Sequence, residues 1–405
     1  MKGELSVKKM KKIIASILVL AMLFSLSACG NTNSNKTAQN NSTNSSGSTT
    51  SNSNSNNKKI KIGVSIWSST DVLGSQCKKM LDEAANALGI ELMYVDQGHI
   101  SEKVTASVKT LAAAGCQGII ICNSADSEMA SAIQTADQYH VYLAQFFRMI
   151  SKDRSPQIYE QAQKSKYFVG AVHEDEVVNG YNLVNILINK GKRFIGLIGW
   201  NPGDATFLLR WEGYKKAVDQ WNQNHPDDKV FMTQPVYAGT TADGGASSAT
   251  SLMNSYPKMD ALIVAGGGGD PLVGALNAIK NAGKTGKIGV VSTDFLPDLG
   301  QELQSGAMTA ESGGHFADPL FALMMVYNAI RGNYVKPDNS FYEIKFPYLY
   351  VSSPSEYNDY QKYFVDSLPY NTEELKAMAN DSFQQLAEQA LNLSIDDVKK
   401  RHGSQ

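Results

Sequence analysis

The sequence predicts an α/β protein built as two doubly wound lobes with parallel sheets. Three observations lead there. Short, near-continuous apolar strands alternate with amphipathic helices, the pattern of a parallel sheet covered on both faces. The alternation runs through the chain twice, one series per lobe. Outside an N-terminal region of different character, about 345 residues remain, enough for two sizeable cores.

The first series opens with a strand over Lys59–Trp67 and a helix over Val72–Leu88. It continues with a strand at Glu91–Asp96, a helix at Ser101–Ala114 and a strand at Gly118–Cys122. A helix over Ser127–Tyr139 and a strand over Val141–Phe146 close it. The second series begins at Phe168–Val172, with a helix reaching Asn189, then a strand at Phe194–Trp200 and a helix reaching Trp221. A strand at Lys229–Ala238, a helix at Ala246–Tyr256, a strand at Ala261–Ala265, a helix at Leu272–Ala282 and a strand at Ile288–Ser292 come next. Ala307–Ser312 and Phe341–Val351 read as later strands, the second as one final crossing strand. Tyr357–Phe364, Thr372–Leu391 and Ile395–Arg401 read as helices. Gly89, Gly115, Gly191 and Gly283 each follow a helix, where a left-handed cap favours glycine.

The N-terminal region reads as an export and anchoring device. Lys2, Lys8, Lys9, Lys11 and Lys12 precede an apolar run from Ile13 to Leu26, and the run exits through Ser27-Ala28-Cys29. Basic head, short apolar core and small residues describe a secretory signal peptide over residues 1–28. The run is short of the roughly 20 residues a membrane span needs. Leu26-Ser27-Ala28-Cys29 resembles the lipobox of bacterial lipoproteins, which implies cleavage before Cys29 and its acylation. Met10 is an alternative start. Residues 29–57 are then an Asn/Ser/Thr-rich tether that buries too little apolar surface to fold. As a flexible coil it spans roughly 30 Å.

Charge excludes one class of partner. The whole chain carries −2, and residues 1–28 hold five Lys and one Glu, so the remainder stands near −6. Mild acidity gives no electrostatic footprint for nucleic acid. Ala317–Ile330 is apolar but broken by Asp318, Pro319 and Asn328, so no later membrane span is expected. Cys77, Cys116 and Cys122 lack the spacing and the nearby histidines of a zinc site and read as buried free thiols. Neither metal nor cofactor is expected.

In open parallel sheets, ligands bind beyond the carboxyl ends of the strands. That rule selects Trp67, Ser68, Ser69 and Asp71 after the first strand, Asn123 after the third, and Gln145, Phe146, Phe147 and Arg148 at the fourth. In the second series it selects Trp200, Asp270 and Asp294, with His315 closing a later strand. Aromatic, carboxylate, amide and hydroxyl groups together suit a polyhydroxylated, sugar-like ligand: rings stack on its CH faces, and the planar polar groups meet its hydroxyls. Simpler roles exist for some of these. Asp71, Asp126, Asp243 and Asp270 precede helices and can act as N-caps, the better reading for Asp126 and Asp243. For Asp294 capping and ligand contact stand level. Trp211 reads as packing.

Several stretches resemble the ribose-type family of bacterial extracytoplasmic solute-binding proteins. They are Lys61-Ile-Gly-Val-Ser, Val104–Ala114 running into Gly115-Cys-Gln-Gly-Ile-Ile-Ile, Asn179–Lys190, Arg210-Trp-Glu-Gly-Tyr, Asp260-Ala-Leu-Ile-Val and Val291-Ser-Thr-Asp294. Their order, from about residue 58 to 351, carries the resemblance. It implies the type I periplasmic binding protein fold: two Rossmann-like lobes, joined by a three-strand hinge, that close on a ligand. The first lobe is expected over 58–170 with 314–345 and the second over 171–313 with 346–365. Hinge strands are expected near 169–172, 312–315 and 345–350. Residues 366–405 are left as a helical C-terminal extension packed on the outside of a lobe. The resemblance also implies Arg210 as a hydroxyl-binding arginine and Asp294 as a ligand carboxylate.

The chain departs from that pattern at three places. Gln145-Phe146 stands where the family often has Asp-Arg, with Arg148 as a substitute in a shifted loop. Gly269 stands where an Asn often precedes the aspartate at Asp270, and Gly314 beside His315 stands where a hinge glutamine is common. Enzyme motifs fail on spacing. Gly283-Lys284-Thr285 lacks the first glycine of a phosphate loop, since that position is Ala278. His173-Glu174 lacks a second histidine, and no Gly-x-Ser-x-Gly elbow occurs. The expectation is a non-enzymatic, monomeric receptor, anchored through Cys29 to the outer face of the cell membrane, that passes a sugar-like ligand to an ABC permease. The alternative is a sensor that presents its bound state to a membrane histidine kinase or chemoreceptor. An exported α/β enzyme is the remaining alternative.

Overall fold

The computed structural model describes residues 59–266 and 270–403. The stretches expected as a signal peptide and a tether, Cys29 included, and Gly267–Gly269 lie outside the described residues.

The first sheet takes β1 (Lys61–Ile66), β2 (Glu91–Asp96), β3 (Gly118–Ile121) and β4 (Tyr142–Phe146) from the first series, and also β5 (Phe168–Glu174), which opens the second series in the sequence but pairs with β4 and β12. Helices α1 (Val72–Leu88), α2 (Ser101–Ala113), α3 (Asp126–Tyr139) and α4 (Pro156–Lys164) connect them. The second series gives α5 (Glu176–Asn189), β6 (Phe194–Gly199), α6 (Ala205–Asn224), β7 (Phe231–Met232), β8 (Val236–Tyr237) and α7 (Ala242–Ser255). It continues with β9 (Ala261–Val264), α8 (Asp270–Asn281), β10 (Gly289–Thr293), α9 (Leu299–Ser305) and β11 (Ala310–Gly313). After it come α10 (Asp318–Ile330), β12 (Tyr342–Phe346), β13 (Leu349–Val351) and α11 (Pro354–Tyr360). Three helices end the described chain: α12 (Thr372–Met378), α13 (Phe383–Asn392) and α14 (Ile395–His402).

Strand order in the first sheet is β12-β5-β4-β3-β1-β2, all parallel. The second runs β13-β11-β10-β9-β6-β7, with β8 also on β6. It is parallel except for the antiparallel β11–β13 pair. Central strands are buried throughout, as continuous apolar runs require: Gly-Ile-Ile-Ile of β3 and Ala-Leu-Ile-Val of β9 carry no exposed residue. The α/β, two-sheet architecture therefore matches the fold class read from the sequence. The four cap glycines hold left-handed φ values of 66°, 84°, 79° and 65°.

The chain passes between the sheets three times in this core: from β5 into α5, from β11 to α10, and from β12 to β13. β5 stays in the first sheet through Glu174, beyond the expected boundary at 170, because Ala171–Glu174 pair with β12. The single strand read over Phe341–Val351 is two strands in different sheets. Pro347 separates them; it has no N–H to continue a ladder, so the chain leaves one sheet there and joins the other. The apolar run Ala317–Ile330 is not a surface helix but the core helix α10, buried from Asp318 to Ala329 and packed on β3, β4 and β5. Among the described residues no helix is long and apolar enough to cross a membrane. Cys77, Cys116 and Cys122 are buried free thiols.

Candidate functional site

The carboxyl ends of β1–β4 form one face of the site. Beyond β1, Asp71 caps α1: its Oδ1 accepts the Gly74 N–H at 2.7 Å and its Oδ2 accepts Trp67 Nε1–H at 2.6 Å. One carboxylate thus caps the helix and fixes the indole. Ser68 Oγ accepts the N–H groups of Thr70 and Asp71, and Ser69 donates to Asp96 at 2.9 Å. These serines shape the loop that carries Trp67. Asn123 and Gln145 spend amide groups on each other, Gln145 Nε2 donating to Asn123 Oδ1. Asn123 Nδ2 donates onward to Ala125 at 2.9 Å.

At the end of β4 the structure separates two neighbours. Phe146 is fully buried in the hydrophobic core that spans the α1–α10 side of the sheet. Phe147, not Phe146, meets the other site rings: Trp67 at 5.6 Å and His315 at 5.1 Å between centroids. It reaches them with a left-handed backbone, φ 58°, an unfavourable conformation for a bulky residue and a sign of functional constraint. Arg148 is half-buried and donates to the Phe147 carbonyl at 2.8 Å. His99, two residues beyond Gln97 at the end of β2, lies parallel to Trp67 at 6.1 Å and also has positive φ. The strand-end rule, applied to β2, would have found it.

The second-lobe face is built on charge. Arg210 of α6 is 3% exposed and meets Glu176 of α5 through two N–H···O contacts, 2.6 Å from Nε and 3.1 Å from Nη2. Its Nη1 donates to the Ala265 carbonyl at 2.6 Å, and Nη2 also donates to the Tyr348 hydroxyl at 3.1 Å. Tyr348 in turn donates to Glu176 at 3.0 Å. Burial works against the Arg210 charge, but Glu176 more than offsets it and the guanidinium stays firmly protonated. Trp200 lies 5.5 Å from that guanidinium, its Nε1–H donating to the Gly266 carbonyl at 2.6 Å. Neither Glu176 nor Tyr348 was read from the sequence; their partnership with Arg210 exists only in three dimensions. Asp270 is exposed at the first position of α8, and no described contact joins it to this group.

Between the faces lies the hinge. Asp294 follows β10 with φ 74°, its N–H donating to Ser312 at 2.7 Å. Its Oδ1 is 3.3 Å from His315 Nε2. His315 is 5% exposed and lies against the Tyr348 ring at 4.7 Å. Burial lowers the His315 pKa, against the pull of Asp294, so the imidazole is neutral at pH 7. Its Nδ1 has no partner among the described groups. Behind it, Glu174 and Asp318 share a side-chain hydrogen bond, and burial with Glu176 nearby pushes Glu174 up to about 8. Among the described residues no cluster of histidine, cysteine and carboxylate could hold a metal ion.

Ring contacts and hydrogen bonds therefore run continuously from His99 and Trp67, through Phe147, His315 and Tyr348, to Arg210 and Trp200. Of the sequence-selected residues, Trp67, Asp71, Trp200, Arg210, Asp294 and His315 belong to this chain or directly hold it. It offers aromatic faces, a carboxylate and a neutral imidazole along the line where two lobes meet. That is the layout of a two-lobed binding protein.

Residues 62–330 match the family model described as periplasmic binding protein domain, and the chain belongs to that family. Its members bind solutes, so the protein is a binding protein and not an enzyme. A D-allose-binding periplasmic protein of Escherichia coli strain K12 is 30% identical over 125 residues, 31% of this chain and 37% of the relative. The chain thus aligns with well under half of that relative's length. Solved structures share the fold at low identity. An ABC transporter periplasmic solute binding protein from Actinobacillus succinogenes 130z, with bound D-allose, gives a TM-score of 0.62 at 18% identity, covering 74% of this chain and 100% of its own. A Bacillus halodurans C-125 solute binding protein with bound myo-inositol gives 0.61 at 18%, covering 75% and 98%. A glucose-galactose binding protein from Geobacillus stearothermophilus gives 0.60 at 17%, covering 73% and 98%.

Proposed function

We propose that this protein captures a sugar-like small molecule between its lobes and delivers it to an ABC permease, held at the membrane by a lipid on Cys29. The observation that carries the reading is the junction of Trp67 and Phe147 with Asp294 and His315. A pyranose or cyclitol presents CH faces to rings and hydroxyls to a carboxylate and an imidazole, and this junction supplies both. Sugars named for the related proteins, D-allose above all, define the first candidates. Closure about the three crossings brings the second-lobe groups onto a ligand resting on the first lobe. Asp294 accepts from a ligand hydroxyl, and neutral His315 offers Nδ1 to another. Arg210 holds Glu176 and Tyr348 in place, with one N–H of Nη1 left for the ligand.

Calorimetric titration with D-allose, D-glucose, D-galactose, D-tagatose and myo-inositol tests the sugar claim. One or more is expected to bind and raise the melting temperature by mass action. A panel without heat or thermal shift overturns it. For the anchor, Cys29→Ser is expected to abolish labelling by a fatty-acid analogue and release the protein from membranes. Retained labelling contradicts the assignment of Cys29.

A further inference from the structure

A bilobal hinge of three crossings leaves the lobes free to rotate about it. Here the chain does not stop at the third crossing, and residues 354–403 touch both lobes. Helix α11 lies on the second lobe. Gly300 of α9 makes room for it: a Cβ there would stand 2.6 Å from Tyr357 Cδ1. The Tyr357 hydroxyl donates to the Pro297 carbonyl at 2.8 Å, and Tyr360 sets its ring edge-on to Phe295 at 4.6 Å.

The wide helical turn Gln361–Asp366 then carries the chain back to the first lobe. Gln76 of α1 donates to the Tyr360 hydroxyl at 3.4 Å, and Lys79 of α1 donates to the Val365 carbonyl at 2.6 Å. Phe364 meets Phe316, in the second crossing, at 6.3 Å. From there on the segment is fastened to the first lobe. Tyr370 packs on Phe321, Thr372 bonds Glu83 of α1 at 3.3 Å, and Phe383 stacks on Tyr342 of β12 at 4.1 Å. Arg331 donates to the Ala379 carbonyl at 2.9 Å. Arg401 closes the unit on itself through Glu374, Asp397 and the Pro369 carbonyl, and Lys399 reaches back to Asp359 of α11 at 3.1 Å.

The segment expected as an extension, from 366 on, packs on the first lobe, and α11 before it packs on the second. Together they make a fourth crossing, with Tyr360, only 2% exposed, touching the second lobe through Phe295 and the first through Gln76. The segment also lies beyond the span of the family match. We propose that residues 354–403 are a clasp that limits how far the lobes separate. Rotation of one lobe against the other must peel α11 from Phe295, Pro297 and Gly300, draw Tyr360 and Val365 from α1, or unwind the turn between them. Each uncovers buried rings, which resists opening. The inference rests on the fold and not on the identity of the ligand.

Spin-label distance measurements on the ligand-free full chain test this. Lys103 of α2 and Lys216 of α6 are exposed, one on each lobe, and become the labelling sites as Lys103→Cys and Lys216→Cys. The remaining body thiols are buried, and Cys29→Ser removes the last. Two perturbations are compared with this parent: Tyr360→Ala, and a protease site inserted between the exposed Asp366 and Ser367 and then cut. The clasp account expects a narrow inter-lobe distance in the parent and a broader distribution, shifted to longer distance, after either perturbation. Should Tyr360→Ala fail to fold, the cut protein decides, since its side chains are all intact. A distribution unchanged by cutting overturns the proposal.

Discussion

The two faces of the cleft solve different problems. On the first-lobe side polar side chains pair within the lobe, Asn123 with Gln145 and Ser69 with Asp96, beside a row of rings: His99, Trp67 and Phe147. On the second-lobe side a buried ion pair, Arg210 with Glu176, organises Tyr348 and Trp200. One face offers stacking surface with little electrostatic demand. The other is an electrostatic scaffold, costly to disturb and able to hold polar contacts in fixed positions. On the proposed reading, a ligand with both CH faces and hydroxyls would use the two faces for different parts of itself.

The largest effects should come from breaking the scaffold. Glu176→Ala strands the Arg210 charge in a buried site, and losing one partner of such a pair costs about 3–5 kcal/mol. Chemical denaturation should show that loss. A smaller loss than from a surface charge deletion would mean that the pair is not buried in solution. Phe146→Ala should cost a similar amount, about 3–5 kcal/mol, because Phe146 is core. Phe147→Ala is its foil: weaker ligand binding with a smaller loss of stability. If the two variants exchange these phenotypes, the assignment of the cleft ring is wrong.

Removing the ring face comes next. Trp67→Ala should weaken binding by about 1.5–3 kcal/mol, or roughly 10- to 150-fold in Kd, as an aromatic contact surface is lost. Asp294→Asn keeps the shape and removes the charge, and should weaken binding by about 1 kcal/mol or slightly more. Titration calorimetry with the best sugar of the panel reads both; equal affinity for either variant and the parent would place the ligand elsewhere.

The smallest effect concerns pH. Glu174 is protonated in the folded state up to about pH 8 because of its burial and its neighbour Glu176, whereas an unfolded glutamate loses its proton near 4.3. The folded form binds the extra proton, so this contribution to stability is full below the unfolded pKa and is lost as pH rises through about 8. Thermal melts should show a falling melting temperature over that window, and Glu174→Gln should flatten it. An unchanged slope in that variant would remove Glu174 as the cause.

Much of the fold was legible because parallel strands buried on both faces announce themselves as apolar runs, β3 and β9 most plainly. What escaped had weak or distant signals. Helix α4 is short, and its apolar stripe is only Ile158, Tyr159 and Ala162, of which Ala162 alone is fully buried. Pro347 carried the information that splits β12 from β13, and an apolar reading across it joined them. Trp67, Trp200 and Asp294 do follow β1, β6 and β10, where the strand-end rule put them. Position named Phe146 and Phe147 together, and what separates the core ring from the one that meets Trp67 and His315 is a left-handed backbone at Phe147, invisible in composition. Glu176 was missed because its role depends on Arg210, which lies 34 residues away. The C-terminal helices were read, but their return to the first lobe depends on where Tyr360 and Val365 land.

A crystal structure with the best-binding sugar of the panel tests the account most directly. The prediction is a sugar ring stacked on the Trp67–Phe147 face, with hydroxyls on Asp294 and on Nδ1 of His315. A sugar bound away from the junction of the lobes, with those four residues uncontacted, would contradict it.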